Sequence, residues 1–128
     1  MSSQIPQDLR YAESHEWVRV EGGIATVGIT DHAQQELTDI VFVELPEAGA
    51  RLTAGAQCAV VESVKTASDI YAPVGGEVLE VNAALETEPE RVNSAPYEAG
   101  WFFKLRLADV GEVERLKSPA DYASQIGQ

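Results

Sequence analysis

Lysine is scarce in this chain, occurring only at positions 65, 104 and 117, and Lys65 is the sole basic residue between Leu52 and Glu90. Its stretch also carries Glu62, Asp69, Glu77, Glu80, Glu86, Glu88 and Glu90, so one cation stands in an anionic segment. Three kinds of chemistry are open to such an amine. As a Schiff-base nucleophile it would have to be neutral near pH 7, which burial or nearby cations achieve by lowering a pKa that is ordinarily about 10.4. The acidic neighbours instead favour the ammonium, which counts against catalysis. As the substrate of another enzyme it needs only exposure on a rigid tip that a modifying active site can enclose. As an ordinary solvated turn residue it needs nothing at all. The residues alone leave the last two open.

The elements that would position Lys65 are two extended runs, Gln57–Val64 and Ser68–Ala72, which meet around it and predict a tight reversal with the side chain outward. The same kind of pattern extends through most of the chain. Residues alternate from His15 to Glu21, Gly22-Gly23 offers a two-residue turn, and Ile24–Ile29 resumes the apolar pattern, which predicts a hairpin. Asp31 with Gln34 resembles a capping box ahead of a short helix over His32–Leu37, followed by a strand at Ile40–Leu45 that Pro46 and Gly49 end. The turn Pro73-Val74-Gly75-Gly76 leads to a strand over Glu77–Val81, and residues 82–100 read as a loop. Trp101, Phe103, Leu105 and Leu107 then alternate as one buried face of a strand. Asp109 with Glu112, and Ser118-Pro119 with Asp121, open two C-terminal helices. Residues 1–10 lack periodicity and read as a flexible lead-in, with one domain over residues 11–128. The predicted class is mainly β, a small sandwich or flattened barrel with short peripheral helices, two of them C-terminal.

Composition narrows the function. A chain of 128 residues with 45% hydrophobic content can bury a core without metals or disulfides. Its formal charge of −12 repels phosphate backbones and anionic lipid, which argues against nucleic-acid and membrane partners and for protein partners with basic surfaces. Cys58, the only cysteine, lies in the apolar stretch Ala56–Val61 and reads as core filler. His15 and His32 are far apart with no ligand spacing, so no metal site is expected. Trp17 and Trp101 read as core anchors. No apolar run reaches membrane-spanning length, and the first residues lack the features of a signal or transit peptide. The expected location is the cytoplasm, or the mitochondrial matrix for a processed eukaryotic chain.

Glu62-Ser63-Val64-Lys65 followed by Ser68-Asp69 resembles the lipoylation segment of the H proteins of the glycine cleavage system. The resemblance continues in order through Ser14-His15-Glu16-Trp17-Val18, Val27-Gly28-Ile29-Thr30-Asp31-His32-Ala33-Gln34, Val41-Phe42-Val43-Glu44-Leu45-Pro46, Gly76-Glu77-Val78, Val81-Asn82, and Pro96-Tyr97 with Gly100-Trp101. It covers the chain from about Tyr11 to Tyr122. Val64 and Thr66 stand where biotinyl carriers typically have Met on both sides of the lysine. Neither the Asp-Lys-Ala turn nor the acyltransferase extension of the 2-oxoacid dehydrogenase lipoyl domains is present.

The resemblance implies a lipoyl/biotinyl-type β-sandwich that is not itself an enzyme, carrying lipoic acid in amide linkage to Lys65. A pyridoxal-phosphate glycine decarboxylase would load the arm with an aminomethyl group. An aminomethyltransferase would pass the one-carbon unit to tetrahydrofolate, and dihydrolipoyl dehydrogenase would reoxidise the remaining dithiol. Lipoylating enzymes are the further partners. Two alternatives stay in view: an H-like carrier that relays lipoyl groups to other apoproteins, and an unmodified acidic β-domain that binds proteins. Glu62 and Asp69 bracket Lys65 and are candidates for recognition of the tip, against the plainer reading of solvated carboxylates. The resemblance also implies that the loaded arm docks in a cleft, with Glu16 the candidate partner of its ammonium; the plainer reading of Glu16 is an exposed strand carboxylate.

Overall fold

In the computed structural model the described residues are 3–128. The strands are β1 (Arg10–Tyr11), β2 (Glu16–Glu21), β3 (Ile24–Ile29), β4 (Ile40–Glu44), β5 (Arg51–Leu52), β6 (Gln57–Ser63), β7 (Ala67–Tyr71), β8 (Gly76–Val81) and β9 (Phe103–Leu107). The helices are α1 (Asp31–Leu37), α2 (Ala84–Thr87), α3 (Arg91–Ser94), α4 (Gly111–Glu114) and α5 (Pro119–Gln125). Two antiparallel sheets form separate ladders, one of six strands in the order β1-β2-β3-β9-β8-β5 and one of three in the order β4-β6-β7. The predicted mainly β class and the two C-terminal helices are therefore both present.

The core lies where the inward faces of the two sheets meet. Val18, Ala25, Val27, Val78, Phe103 and Leu105 come from the larger sheet, and Ile40, Val43, Ala59, Val61 and Ile70 from the smaller. Alternation dictates this division, since successive side chains of a strand point to opposite faces. In β6, Ala59, Val61 and Ser63 are buried whereas Glu62 is exposed. The β2–β3 hairpin closes through Gly22 and Gly23 at φ 57° and 80°, the left-handed pair that a two-residue turn of this twist requires.

A second cluster of Leu9, Tyr11, Trp17, Tyr97 and Tyr122 packs beside the first strands. Gly28 stands opposite Trp17 across the β2–β3 ladder. A Cβ there would lie 2.7 Å from the indole, so the glycine gives Trp17 its place. Every polar group of the cluster has a partner. Tyr11 donates to Pro6 O at 2.6 Å, Trp17 Nε1 to Pro96 O at 3.0 Å, and Tyr97 to Gln4 O at 2.6 Å.

Several expectations need correction. Within the stretch read as a lead-in, Leu9 is buried, Ile5 packs on the aromatic cluster, and Gln4 N donates to Asp31 at 2.8 Å. Positions 1 and 2 lie outside the described residues. The N-cap of α1 is Thr30, whose hydroxyl accepts from Ala33 N, while Asp31 accepts from the Gln34 side chain at 2.7 Å. The expected loop at 82–100 contains α2 and α3, which form because Leu85 and Val92 are drawn into the core. Phe102, which lies between Trp101 and Phe103 and so falls on the solvent side of that alternation, is fully buried, whereas Trp101 is half-buried beneath the Lys104 ammonium, 5.2 Å from its ring. Among the described residues no helix is long and apolar enough to cross a membrane.

Candidate functional site

Lys65 lies exposed in the reversal between β6 and β7, as the meeting of two extended runs predicts. The preceding serine makes the tip rigid. Ser63 N donates to Thr66 O at 2.7 Å, and the Ser63 hydroxyl donates to the same carbonyl at 3.1 Å. That hydroxyl also accepts from Thr66 N at 3.1 Å and from Lys65 N at 3.3 Å. A short polar side chain thus takes over the backbone bonding that the ladder can no longer provide. Val64 N donates to Asp39 O at 3.0 Å, which ties the tip to the segment between α1 and β4. Among the described residues the ion pairs are Arg19–Glu98, Arg91–Glu88 and Arg106–Glu77, with His32 beside Glu36, which leaves the Lys65 ammonium unpaired.

Beside the tip opens a cleft of about 360 Å³. Ser14 and His15 form one wall, Ile29 and the Ala33, Glu36 and Leu37 side of α1 another, and residues 65, 66 and 68–70 of the hairpin a third. Its size falls within the range of small-molecule sites. Ile29, Leu37 and Ile70 are suited to methylenes, and Ser14 and Glu36 supply polar groups, so the cleft fits a flexible aliphatic chain that ends in a polar or cationic group.

Glu16 departs from both readings made of it. It is fully buried and does not line the cleft. The Ser14 hydroxyl donates to one carboxylate oxygen and Tyr71 N donates to the other at 3.1 Å. Burial pushes its pKa up to about 7, against the pull of those two donors. Glu16 is therefore the support behind Ser14, not an exposed carboxylate and not a direct contact in the cleft. Glu62 and Asp69 are both exposed on the outward face of the smaller sheet, where Asp69 pairs with Val60 and Glu62 with Ala67.

The fold also brings together residues that their sequence positions hold apart. The rings of His15 and His32 lie 5.1 Å apart at the cleft edge, and His32 Nε2 is 3.4 Å from Glu36. His15 has a left-handed φ of 76°. It is anchored there by its Nδ1, 2.8 Å from the Tyr122 hydroxyl, which in turn shares a 2.7 Å hydrogen bond with Thr30. Burial, reinforced by His32 and opposed by Glu36, lowers the His15 pKa. Cys58 is half-buried against the core, donates to Ile70 O, and has its thiol pushed up to about 12 by burial. That agrees with packing and leaves no reactive thiolate at neutral pH.

A sequence model of the family described as Glycine cleavage H-protein matches residues 9–128. The glycine cleavage system H protein of Alcanivorax borkumensis is 59% identical over 124 residues, 97% of either chain. That of Neisseria meningitidis is 58% identical over 127 residues, 98% of this chain and 99% of its own. The crystal structure of a glycine cleavage system H protein from Mycobacterium marinum superposes with a TM-score of 0.89 at 42% identity, covering 97% of this chain and 100% of that one. At such identity over nearly the whole length, the chain belongs to the glycine cleavage H-protein family.

Proposed function

We propose that this protein is a non-catalytic carrier in the glycine cleavage system, holding a lipoyl arm in amide linkage on Lys65 Nζ. One observation carries the reading: an unpaired lysine on a rigid hairpin tip opens directly onto a cleft of about 360 Å³ suited to a flexible chain. When bound, lipoic acid supplies a disulfide able to accept an aminomethyl group and electrons, and a dithiol that can be reoxidised. The protein supplies the tether and the docking surfaces. Its partners on this reading are glycine decarboxylase, aminomethyltransferase, dihydrolipoyl dehydrogenase and the lipoylating enzymes. The working unit runs through residues 11–128 with the packed segment before it, and acts in the cytoplasm.

The residues around the cleft divide the work of holding a loaded arm. Ile29, Leu37 and Ile70 offer apolar surface to its methylenes, and at roughly 0.8 kcal/mol for each buried CH₂, four of them contribute about 3 kcal/mol. That retains a chain yet lets a docking enzyme withdraw it. Glu36 at the rim provides negative potential for an ammonium, and Ser14 a hydroxyl held in place by Glu16. A chain that fills the cleft displaces water from it, which protects a carbon held between nitrogen and sulfur from hydrolysis.

Peptide mapping by mass spectrometry of protein from cells with working lipoylation enzymes tests the reading. A lipoyl increment on the peptide containing Lys65, with Lys104 and Lys117 unmodified, is expected. Persistent absence of the increment would overturn the carrier reading in favour of an unmodified protein-binding domain. Reconstituted glycine–carbon dioxide exchange with glycine decarboxylase separates a glycine cleavage carrier from one that only relays lipoyl groups.

A further inference from the structure

The edge strand β4 breaks its inward–outward alternation beside the lysine tip. A register shift between Ile40 and Phe42 in the β4–β6 ladder leaves Val41 and Phe42, adjacent in sequence, both facing solvent, 53% and 46% exposed. Ile40 and Val43 remain buried on either side. Phe42 stands opposite Glu62, and Val64, 66% exposed, begins the turn whose next residue is Lys65. Val64 N bonds to Asp39 O at 3.0 Å, which ties the start of β4 to the lysine tip. The result is an exposed apolar ridge leading to the lysine and rimmed by the carboxylates of Glu44, Glu62 and Asp69.

We propose that the ridge of Val41, Phe42 and Val64, with its carboxylate rim, is the surface on which the enzyme that acylates Lys65 docks, through an apolar patch bordered by Arg and Lys. This rests on the carrier reading above. The reaction requires the enzyme to reach Nζ itself: the amine gives up a proton, attacks the carboxyl carbon of an activated lipoyl group such as an acyl adenylate, and the adenylate phosphate leaves with its electron pair. An active site closing on Nζ cannot avoid the residues that flank it. Enzymes that act at the far end of a lipoyl arm work many bond lengths away and need no contact with the ridge, which singles out the acylating enzyme as the occupant. The rim gives the sign of the partner, since among the described residues the charged groups of this face other than Lys65 are the carboxylates of Glu44, Glu62 and Asp69, whose potential attracts a basic surface and accelerates encounter. An apolar centre with a charged rim is the usual anatomy of a protein interface.

The test measures lipoylation of the unmodified full-length protein by a lipoate ligase, read by intact mass, with affinity for the ligase measured separately. Phe42→Ser and Val64→Ser are compared with Val20→Ser, which removes a similarly exposed apolar side chain from the other sheet. Val64→Ser leaves every backbone bond of the strands in place, so it keeps the test decisive even if Phe42→Ser folds poorly. A fall of about tenfold in lipoylation kcat/KM for both ridge variants, with weaker ligase binding, Val20→Ser unchanged and the wild-type rate falling as salt rises, is expected. Wild-type rates in both ridge variants would overturn the inference, as would normal lipoylation with impaired exchange by glycine decarboxylase, which would assign the ridge to that enzyme. If wild-type protein itself gains no lipoyl mass on Lys65, it is the carrier reading that fails.

Discussion

The aromatic corner of the six-stranded sheet and the hairpin tip of the three-stranded sheet treat polar groups in opposite ways. At the corner, Tyr11 and Tyr122 stack with centroids 4.7 Å apart, and the hydroxyls and the indole N–H are all satisfied by backbone carbonyls or by Thr30 and His15. Burial pushes the Tyr122 phenol up to about 12. At the tip, the side chains of Val64, Lys65 and Thr66 are exposed, and the Ser63 hydroxyl and backbone bonds define the turn. The corner spends its polar groups on one another and joins residues 3–9, β2 and α5. The tip leaves its amine free for an outside reagent. Stability and availability are thus separated in space, so the two regions can be broken independently.

The most complete separation is expected from Lys65→Arg. The guanidinium keeps the charge and cannot form the ordinary amide, so lipoylation and glycine–carbon dioxide exchange should vanish while the thermal melt stays that of wild type. Substantial exchange by this variant with no other lipoyl source would end the assignment of Lys65. Trp17→Ala is the opposite experiment. It empties the centre of the corner and should cost about 3–5 kcal/mol in denaturant unfolding, while Lys65 in the molecules that remain folded is lipoylated at the wild-type rate. A selective loss of lipoylation without loss of stability would show that the corner and the tip are not separate.

Glu16 links the two regions, being buried at the start of β2 while holding Ser14 and Tyr71 near the cleft. Its folded pKa of about 7 lies above the ordinary 4.5, so between those values the folded state keeps a proton that the unfolded state gives up. Its contribution is fully present below about pH 4.5 and is lost as pH rises through 7, by an amount on the order of 3 kcal/mol. Glu16→Gln should remove that slope from the stability profile. Parallel wild-type and variant profiles between pH 4.5 and 8 would refute the buried carboxyl. The smallest effect is expected of Glu62→Lys on the exposed face. Stability should change by less than about 1 kcal/mol, whereas lipoylation at low salt should slow several-fold, and equal rates would remove Glu62 from recognition.

How much of this was legible in the sequence follows from the range of the forces involved. The β2–β3 hairpin follows from Gly22-Gly23 between two alternating runs, and α5 from Ser118-Pro119, because turns and caps are made by residues adjacent in the chain. The reversal at Lys65 follows in the same way. The helices α2 and α3 do not, since what stabilises them is the burial of Leu85 and Val92 in a core built by distant strands. The burial of Phe102 and of Leu9 is not legible in the sequence for the same reason.

By itself, the sequence determined the mainly β class, the isolated lysine on its turn, the anionic character of the surface and, through ordered motifs, the family. Those are properties of local pattern and of summed charge, which need no knowledge of which segments touch. Only the tertiary structure decided that Glu16 is buried behind Ser14, that His15 and His32 meet, that a cleft opens beside Lys65, and that a bulge turns Val41 and Phe42 outward together. Burial, ring contact and cavity shape are set by partners tens of residues away, and a one-residue shift in strand register reverses which face a side chain occupies.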